Sequence, residues 1–82
     1  MNTSKMIVNI ALMGSIVDMF STIGYEFYAC TACPSDIRLQ GRYNSEAVKL
    51  AKSLEYDGIV TDQGYTELLK VCDNLPVTIV LT

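Results

Sequence analysis

The irregular middle of the chain contains four side chains that could do chemistry. Cys30 and Cys33 form a Cys-x-x-Cys motif, which in a thiol-disulfide enzyme supplies a nucleophile and a resolving thiol. Arg38 and Arg42 are four residues apart, and guanidinium groups can bind a phosphate or carboxylate in a bidentate manner. The sequence contains no histidine, which removes Ser-His and Cys-His nucleophile pairs and most zinc sites. We therefore expect no metal or cofactor, and consider anion binding and thiol exchange.

A second set of polar residues lies where predicted strands end. Gly14 and Ser15 follow the first predicted strand, Thr31 and Ser35 follow the second, and residues 61–66 follow the third. Free backbone N–H groups and the helix dipole attract anions at helix N-termini, although hydroxyls at such positions can also simply cap the helix. The candidate ligand-binding residues are Gly14, Ser15, Thr31, Ser35, Arg38, Arg42, Thr61, Asp62, Gln63, Gly64, Tyr65 and Thr66.

The elements that would position these residues alternate between strand and helix. Strands are predicted at residues 6–13, 25–30, 59–61 and 77–81. Helices are predicted at residues 16–23, ending at Gly24, from a cap at Asn44 or Ser45 to Leu54, and at residues 65–73. The β-α-β-α-β-α-β order predicts one domain over residues 1–82, with an open four-stranded parallel sheet of the flavodoxin-like or Rossmann-like three-layer type. A thioredoxin-like fold is the alternative, because of the Cys-x-x-Cys motif and Pro76.

The predicted topology places all the candidate residues on one side of the sheet. The carboxyl ends of parallel strands meet at one edge, where ligands bind in open α/β sheets. The polar corners after the first three predicted strands are therefore expected to form one site at this edge. The most informative of them is the strand-turn-helix unit of residues 57–70, which Gly64 closes.

Charge and hydropathy exclude several classes of function. Six Lys and Arg residues against nine Asp and Glu give a net charge of −3, without the basic cluster that a nucleic-acid polymer would require. The apolar run from Met6 to Phe20 is interrupted by Asn9, Gly14 and Asp18, which argues against a membrane-spanning helix. There is also no signal-peptide cleavage pattern, so we expect a cytoplasmic protein with reduced cysteines.

The size of the chain favours self-association. A chain of 82 residues buries only about 60% of its unfolded surface. The predicted sheet would also leave one face under a single helix and an apolar edge along residues 77–81. We therefore expect a homodimer or higher homo-oligomer, with dimerisation completing the pocket. The same edge makes a protein-interaction module an alternative function.

Two segments resemble known ligand-binding families. Residues 57–70, followed by Leu75-Pro76-Val77 and preceded by the helical segment 46–52, are similar to the first subdomain of the N-terminal sensor of propionate-catabolism activators. Gly64 matches that family's motif, whereas Asp62 stands in place of its arginine, so the family's ligand is not carried over. Residues 24–31 resemble the Gly-Phe-Glu-Leu-x-Ala-Thr strand of methylglyoxal-synthase-like regulatory domains, which bind phosphate or nucleotides. Both resemblances imply ligand at the carboxyl ends of the strands.

These observations predict a non-enzymatic protein that binds an anionic metabolite or signalling nucleotide. Tyr43 and Tyr65 could stack on a base, and Arg38 and Arg42 could hold a phosphate. A small binder can act by holding its ligand, as phage-encoded antagonists that sequester signalling nucleotides do. The first alternative is a thiol-disulfide oxidoreductase that uses Cys30 and Cys33.

Overall fold

The computed structural model of the chain describes residues 2–60 and 65–82. Its elements are α1 (Asn2–Ser21), β1 (Ala29–Ala32), β2 (Ile37–Gly41), α2 (Ser45–Ser53), β3 (Asp57–Val60), β4 (Thr66–Cys72) and β5 (Leu75–Leu81). The strands form one sheet in the order β1-β2-β5-β4-β3. Only β2 and β5 are parallel; the other three neighbouring pairs are antiparallel. The predicted four-stranded parallel sheet is therefore wrong, and the thioredoxin-like alternative is wrong with it.

The first error concerns residues 6–13, which belong to α1 and not to a strand. A short, continuously apolar run suits a buried strand and a buried helix equally well, because its periodicity does not separate them. The helix also passes through Gly14 and Ser15 without a break, and the Ser15 hydroxyl donates to the carbonyl of Ala11 at 3.2 Å and does not cap a new helix. A glycine in a helix costs about 1 kcal/mol relative to alanine. Burial of Ile16 and Phe20 in the core outweighs that cost.

The second error concerns residues 65–73, predicted as a helix but containing the whole of β4. Burial alternates along this strand, with Thr66 and Leu68 fully buried and Glu67 and Leu69 exposed. Such a period of two is the pattern of a strand with one covered face. The apolar spacing of the segment had matched a helical face by coincidence.

The turn after β4 explains why the chain continues as a hairpin. Cys72 pairs with Leu75, so the loop consists of Asp73 and Asn74 alone, with φ angles of +49° and +67°. Two consecutive residues with positive φ are the mark of a type I′ hairpin turn, which Asp and Asn tolerate well. The hairpin places β5 in the middle of the sheet, between β2 and β4. The exposed apolar edge predicted for residues 77–81 is therefore paired on both sides.

A strand was also missed in the segment predicted to be irregular, residues 31–45. It contains β2, whose side chains at Ile37 and Leu39 are buried while that of Arg38 is exposed. In the same region, the predicted strand at residues 25–30 enters the sheet only at Ala29.

The prediction for the second helix is confirmed. The side-chain oxygen of Asn44 accepts hydrogen bonds from the backbone N–H groups of Glu46, at 2.8 Å, and Ala47, at 3.1 Å. This satisfies two of the donors that a helix N-terminus leaves unpaired. Within α2, Ala47 and Ala51 are fully buried, as their spacing predicts.

Both helices pack on one face of the sheet. Ile16 and Phe20 of α1 and Ala51 of α2 belong to one core cluster with inward residues of β2, β4 and β5, such as Leu39 and Ile79. The architecture thus has two layers, one of helices and one of sheet, in place of the three layers predicted. We call the inward side the inner face and the side without helices the outer face.

Candidate functional site

The edge on which a ligand site was predicted does not exist in this sheet. Because most neighbouring strands are antiparallel, their carboxyl ends lie at opposite edges. Gly14 and Ser15 lie on the exposed side of α1, Ser35 lies in the turn between β1 and β2, and Thr66 lies on the inner face. Residues 61–64, which include the predicted Thr61, Asp62, Gln63 and Gly64, are outside the described residues.

Three of the predicted residues do come together on the outer face. Thr31 of β1 pairs with Arg38 of β2, so that their side chains point to the same side. Tyr65 precedes β4 on the same side, and its hydroxyl donates to Glu67 Oε2 at 2.9 Å. This hydrogen bond and the negative charge of Glu67 raise the pKa of Tyr65, while the positive charge of Arg38 opposes the rise.

Arg42, the remaining predicted residue, lies elsewhere, in a cleft with a volume of about 510 Å³ at one end of the sheet. Arg42 and Tyr43 come from the loop between β2 and α2, and Tyr28 from the segment that leads into β1. Both tyrosines are exposed, by 62% for Tyr28 and 40% for Tyr43, so their rings are available to a ligand. The complete lining is Gly24, Tyr25, Glu26, Phe27, Tyr28, Arg42, Tyr43 and Asn44.

The cleft has two walls, residues 24–28 and residues 42–44. The end of α1 determines the position of the first wall. Gly24 has a φ angle of +77°, which only glycine adopts without strain, and the prediction that the helix ends there is confirmed. The N–H of Gly24 donates to Ser21 O at 3.0 Å and that of Tyr25 to Phe20 O at 3.2 Å. This is the Schellman motif, in which the residue after the glycine packs against the last helical turn. The rings of Tyr25 and Phe20 accordingly meet edge to face, with centroids 6.1 Å apart.

Tyr25 connects the wall of residues 24–28 to the wall of residues 42–44. Its hydroxyl donates to the carbonyl oxygen of Arg42 at 2.6 Å. A Cβ atom at Gly41 would overlap the Tyr25 hydroxyl, so the close approach of the two segments depends on that glycine. Burial, together with the nearby Tyr28, raises the pKa of Tyr25 to about 12, so the hydroxyl stays a donor throughout the neutral range.

The electrostatic character of the cleft combines one cation, one carboxylate and a helix N-terminus. Arg42 makes no salt bridge with any residue that the structure describes. The salt bridge found among those residues joins Lys49 and Glu46. Glu26 is exposed and lines the same cleft. Asn44 brings the N-terminus of α2 to the cleft, with its partial positive charge. The arrangement can hold an anionic group beside a group that donates hydrogen bonds.

The two cysteines of the Cys-x-x-Cys motif lie at a hairpin and not at a helix. Cys30 is in β1, and Cys33 is in the turn that leads to β2, where its N–H donates to Asp36 O at 2.8 Å. Although Cys30 is exposed, desolvation of its thiol raises its pKa. A redox nucleophile requires the opposite, a lowered pKa of the kind that a helix N-terminus supplies. The geometry therefore does not favour thiol exchange.

A second cleft, of about 590 Å³, lies between α1 and the two hairpin turns. Its lining includes Lys5, Asn9, Ser35 and Asn74. Asn9 is buried there, and its amide donates to Cys33 O at 2.7 Å, so it fastens the first hairpin to the helix. This gives the polar Asn9 in the apolar run a structural explanation.

The chain matches no family model, no curated protein and no solved structure. The features described above therefore define a class only: a small α/β protein with two helices on one face of a mixed five-stranded sheet. In the described part of the chain, no helix is both long and apolar enough to cross a membrane. The same residues contain no cluster of His, Cys, Asp and Glu suited to a metal ion.

Sequence reasoning missed half of the cleft. Tyr25, Glu26 and Tyr28 were assigned to a strand, and their aromatic composition supported that assignment. The signal that could have found the wall is Gly24 followed directly by an aromatic residue, since the Schellman motif packs the residue after its glycine against the helix.

Proposed function

We propose that the protein binds a small anionic ligand that carries an aromatic ring, of the nucleotide class, in the cleft lined by residues 24–28 and 42–44. The observation that carries this proposal is the presence of Arg42 and the exposed rings of Tyr28 and Tyr43 in one cleft. The proposal keeps the anionic ligand expected from the sequence, but it places the site in this cleft and not at the carboxyl ends of parallel strands.

The size and chemistry of the cleft support a ligand of this class. Small-molecule sites commonly occupy about 300–1,000 Å³, a range that includes this cleft. A guanidinium binds a phosphate through two parallel hydrogen bonds, and a tyrosine ring stacks on a base without regard to its identity. The N-terminus of α2 adds a favourable potential for the anion.

Glu26 limits which anions fit. Its carboxylate repels a polyphosphate, but it can accept hydrogen bonds from a ribose hydroxyl or an exocyclic amine. We therefore expect mononucleotides, or cyclic or linked nucleotides with one charge per phosphate, to bind better than nucleoside triphosphates.

The test is a thermal-shift panel followed by NMR. Mononucleotides, cyclic and linked nucleotides, triphosphates and ribose 5-phosphate are added to the protein, and a ligand at 100 times its dissociation constant adds about 2.7 kcal/mol of stability. Compounds that raise the melting temperature are then titrated into ¹⁵N-labelled protein. We expect the largest shift changes at residues 24–28 and 42–44.

The two arginines form a matched pair for this experiment. Arg42→Ala should abolish binding, whereas Arg38→Ala removes the same charge from the outer face and should leave binding intact. The proposal fails if no compound in the panel binds, or if the two substitutions weaken binding equally. Recovery of the unchanged nucleotide after incubation would support sequestration, and recovery of a product would point to an enzyme.

A further inference from the structure

The outer face of the sheet is a second surface that the cleft does not use. Strand pairing aligns its side chains in rows, one of which runs Thr31, Arg38, Thr78, Leu69 and Asp57 across all five strands. Neither helix covers this face. The row shows that the face is polar on the β1 and β2 side and more apolar towards β4.

Apolar side chains are concentrated on β4. Val71 is exposed by 61% and Leu69 by 46%, and Pro76 of β5 is half-buried beside Val71. Val80 of β5, in the next row, is only 5% exposed and adds little to this strip. A continuous apolar strip on an otherwise open sheet is the kind of surface that marks an interaction site.

Charges on the outer face are divided between its two halves. Arg38 lies on β2, one strand to one side of β5, and Glu67 lies on β4, one strand to the other side. Asp57 of β3 adds a second carboxylate on the Glu67 side. No described residue forms a salt bridge with Arg38. A half-turn about β5 therefore brings the positive half of one face over the negative half of another.

We propose that two copies of the chain pack through their outer faces around a twofold axis parallel to β5. This symmetry places β2 of one copy over β4 of the other and keeps the level along the strands. Arg38 is level with Thr78 and Glu67 with Val80, so Arg38 and Glu67 of the partner subunit are two residues, about 7 Å, apart along the strand direction and meet diagonally, twice in each dimer. Packed sheets lie about 10 Å apart, so the two Cα atoms are about 12 Å apart, a distance that an extended arginine and a glutamate bridge together. Leu69 and Val71 become covered at the same time.

The area available suits a weak, transient interface. The five strands contain 4, 5, 4, 7 and 7 residues, 27 in all, and at about 3.3 Å by 4.8 Å per residue they give a face of about 430 Å². Two such faces bury about 860 Å² in total, a little below the area of about 1,000 Å² that a stable specific interface requires. We therefore expect a reversible dimer whose population depends on concentration. The proposal does not depend on the cleft, which one chain forms alone.

The exposed side of α1 is the competing surface. Ile7, Val8 and Ile10 are exposed by 63%, 64% and 51%, and the helix carries no pair of opposite charges next to them on that side. We use this surface as the control. A dimer formed through α1 would be weakened by a lysine in place of Ile10 and would not be affected by charge reversal at Arg38.

Charge reversal with mixing tests the proposal. Sedimentation equilibrium is measured for the wild type, Arg38→Glu, Glu67→Arg and an equimolar mixture of the two variants. Each variant alone should associate about tenfold or more weakly, because both symmetry-related pairs become repulsive. In the mixed dimer both pairs are attractive again, so the mixture should recover wild-type affinity, and native mass spectrometry should show the heterodimer in excess. Leu69→Lys should weaken association independently of the charge pair, and Ile10→Lys should have no effect.

Several results would overturn the proposal. One is a wild type that stays monomeric up to the concentrations of NMR samples. A second is an association constant that neither Arg38→Glu nor Glu67→Arg changes. A third is an equimolar mixture of the two variants that associates no more tightly than either variant alone. Loss of the dimer in Ile10→Lys alone would move the interface to α1. Far-UV circular dichroism of every variant separates loss of association from loss of fold.

Discussion

The contact between Gly41 and Tyr25 should be the most sensitive point of the cleft. In Gly41→Ala the new methyl group would occupy the position of the Tyr25 hydroxyl. That hydroxyl cannot move without breaking its hydrogen bond to Arg42 O, and the ring is held between Phe20 and Phe27. The backbone of Gly41 does not have a positive φ, so the side chain alone is responsible for the effect.

The expected magnitude follows from two contributions. Overpacking in a closed site costs about 1–3 kcal/mol, and a lost hydrogen bond costs about 0.5–1.5 kcal/mol. We therefore expect Gly41→Ala to lower the free energy of unfolding by about 2–4 kcal/mol, which for a domain of this size lowers the melting temperature by about 10 °C or more. Nucleotide binding should weaken as well, because the two walls of the cleft separate.

Urea denaturation of four variants measures this effect. Tyr25→Phe alone should cost about 1 kcal/mol for the lost hydrogen bond. The double variant should be less destabilised than the sum of the single ones, because the atom closest to the new methyl group is gone. Gly14→Ala is the matched control: apart from its own helix turn, its methyl group would meet nothing within 4 Å, and it should stabilise α1 by up to about 1 kcal/mol. Wild-type stability of Gly41→Ala, or strict additivity in the double variant, would refute the reasoning.

Three further predictions concern the core and the sheet. The Thr66 hydroxyl is fully buried and has no hydrogen-bond partner among the residues that the structure describes. Thr66→Val should therefore raise the free energy of unfolding, measured by chemical denaturation, by about 1–2 kcal/mol. A lower free energy of unfolding in this variant would show that the hydroxyl is paired. Burial raises the pKa values of Tyr25 and Tyr56 to about 12. Because the unfolded chain releases these protons near pH 10, these two groups should leave stability unaffected below pH 10 and lower it between pH 10 and 12. Absorbance titration should show Tyr25 and Tyr56 ionising near pH 12, and ionisation of all five tyrosines near pH 10 would contradict this. Gly58→Ala would bring a methyl group against the backbone carbonyl of Glu67, so amide exchange should show β3 detached from β4, and unchanged protection there would count against the pairing.

The two proposals make different demands on the same molecule. Ligand binding depends on Arg42 and the aromatic wall, whereas association depends on Arg38, Glu67 and the apolar strip on β4. Arg38→Ala, the control in the binding experiment, also removes a residue of the proposed dimer, so ligand binding and association are measured separately for that variant. Each proposal can therefore fail without the other.

Local signals in the sequence were reliable where one or two residues decide the backbone. Asn44 caps α2 because its side chain reaches the free N–H groups of its own helix. Gly24 ends α1 because glycine, which has no side chain, adopts its positive φ angle without steric cost. Both predictions are confirmed, and neither requires knowledge of what the rest of the chain does.

Predictions failed where the same residues suit two structures. Residues 6–13 are apolar enough for a central strand or a packed helix, and residues 65–73 show both a helical spacing and an alternation. These two choices changed the topology from parallel to mixed, and with it the location of every site that depends on strand ends. The site prediction kept Arg42 and Tyr43 as ligand-binding or stacking residues, but it could not bring Tyr28 and Glu26 beside them.

By itself, the sequence determined the Asn44 cap of α2, the end of α1 at Gly24, the acidic charge and the lack of histidine, because each of these depends on residues close together or on composition alone. Tertiary structure decided the rest. Strand order, the open outer face and the cleft come from contacts between residues far apart in the chain, such as Tyr25 with Arg42 and β2 with β5. Burial of a shared core selects among the local alternatives, and that selection is a property of the whole fold.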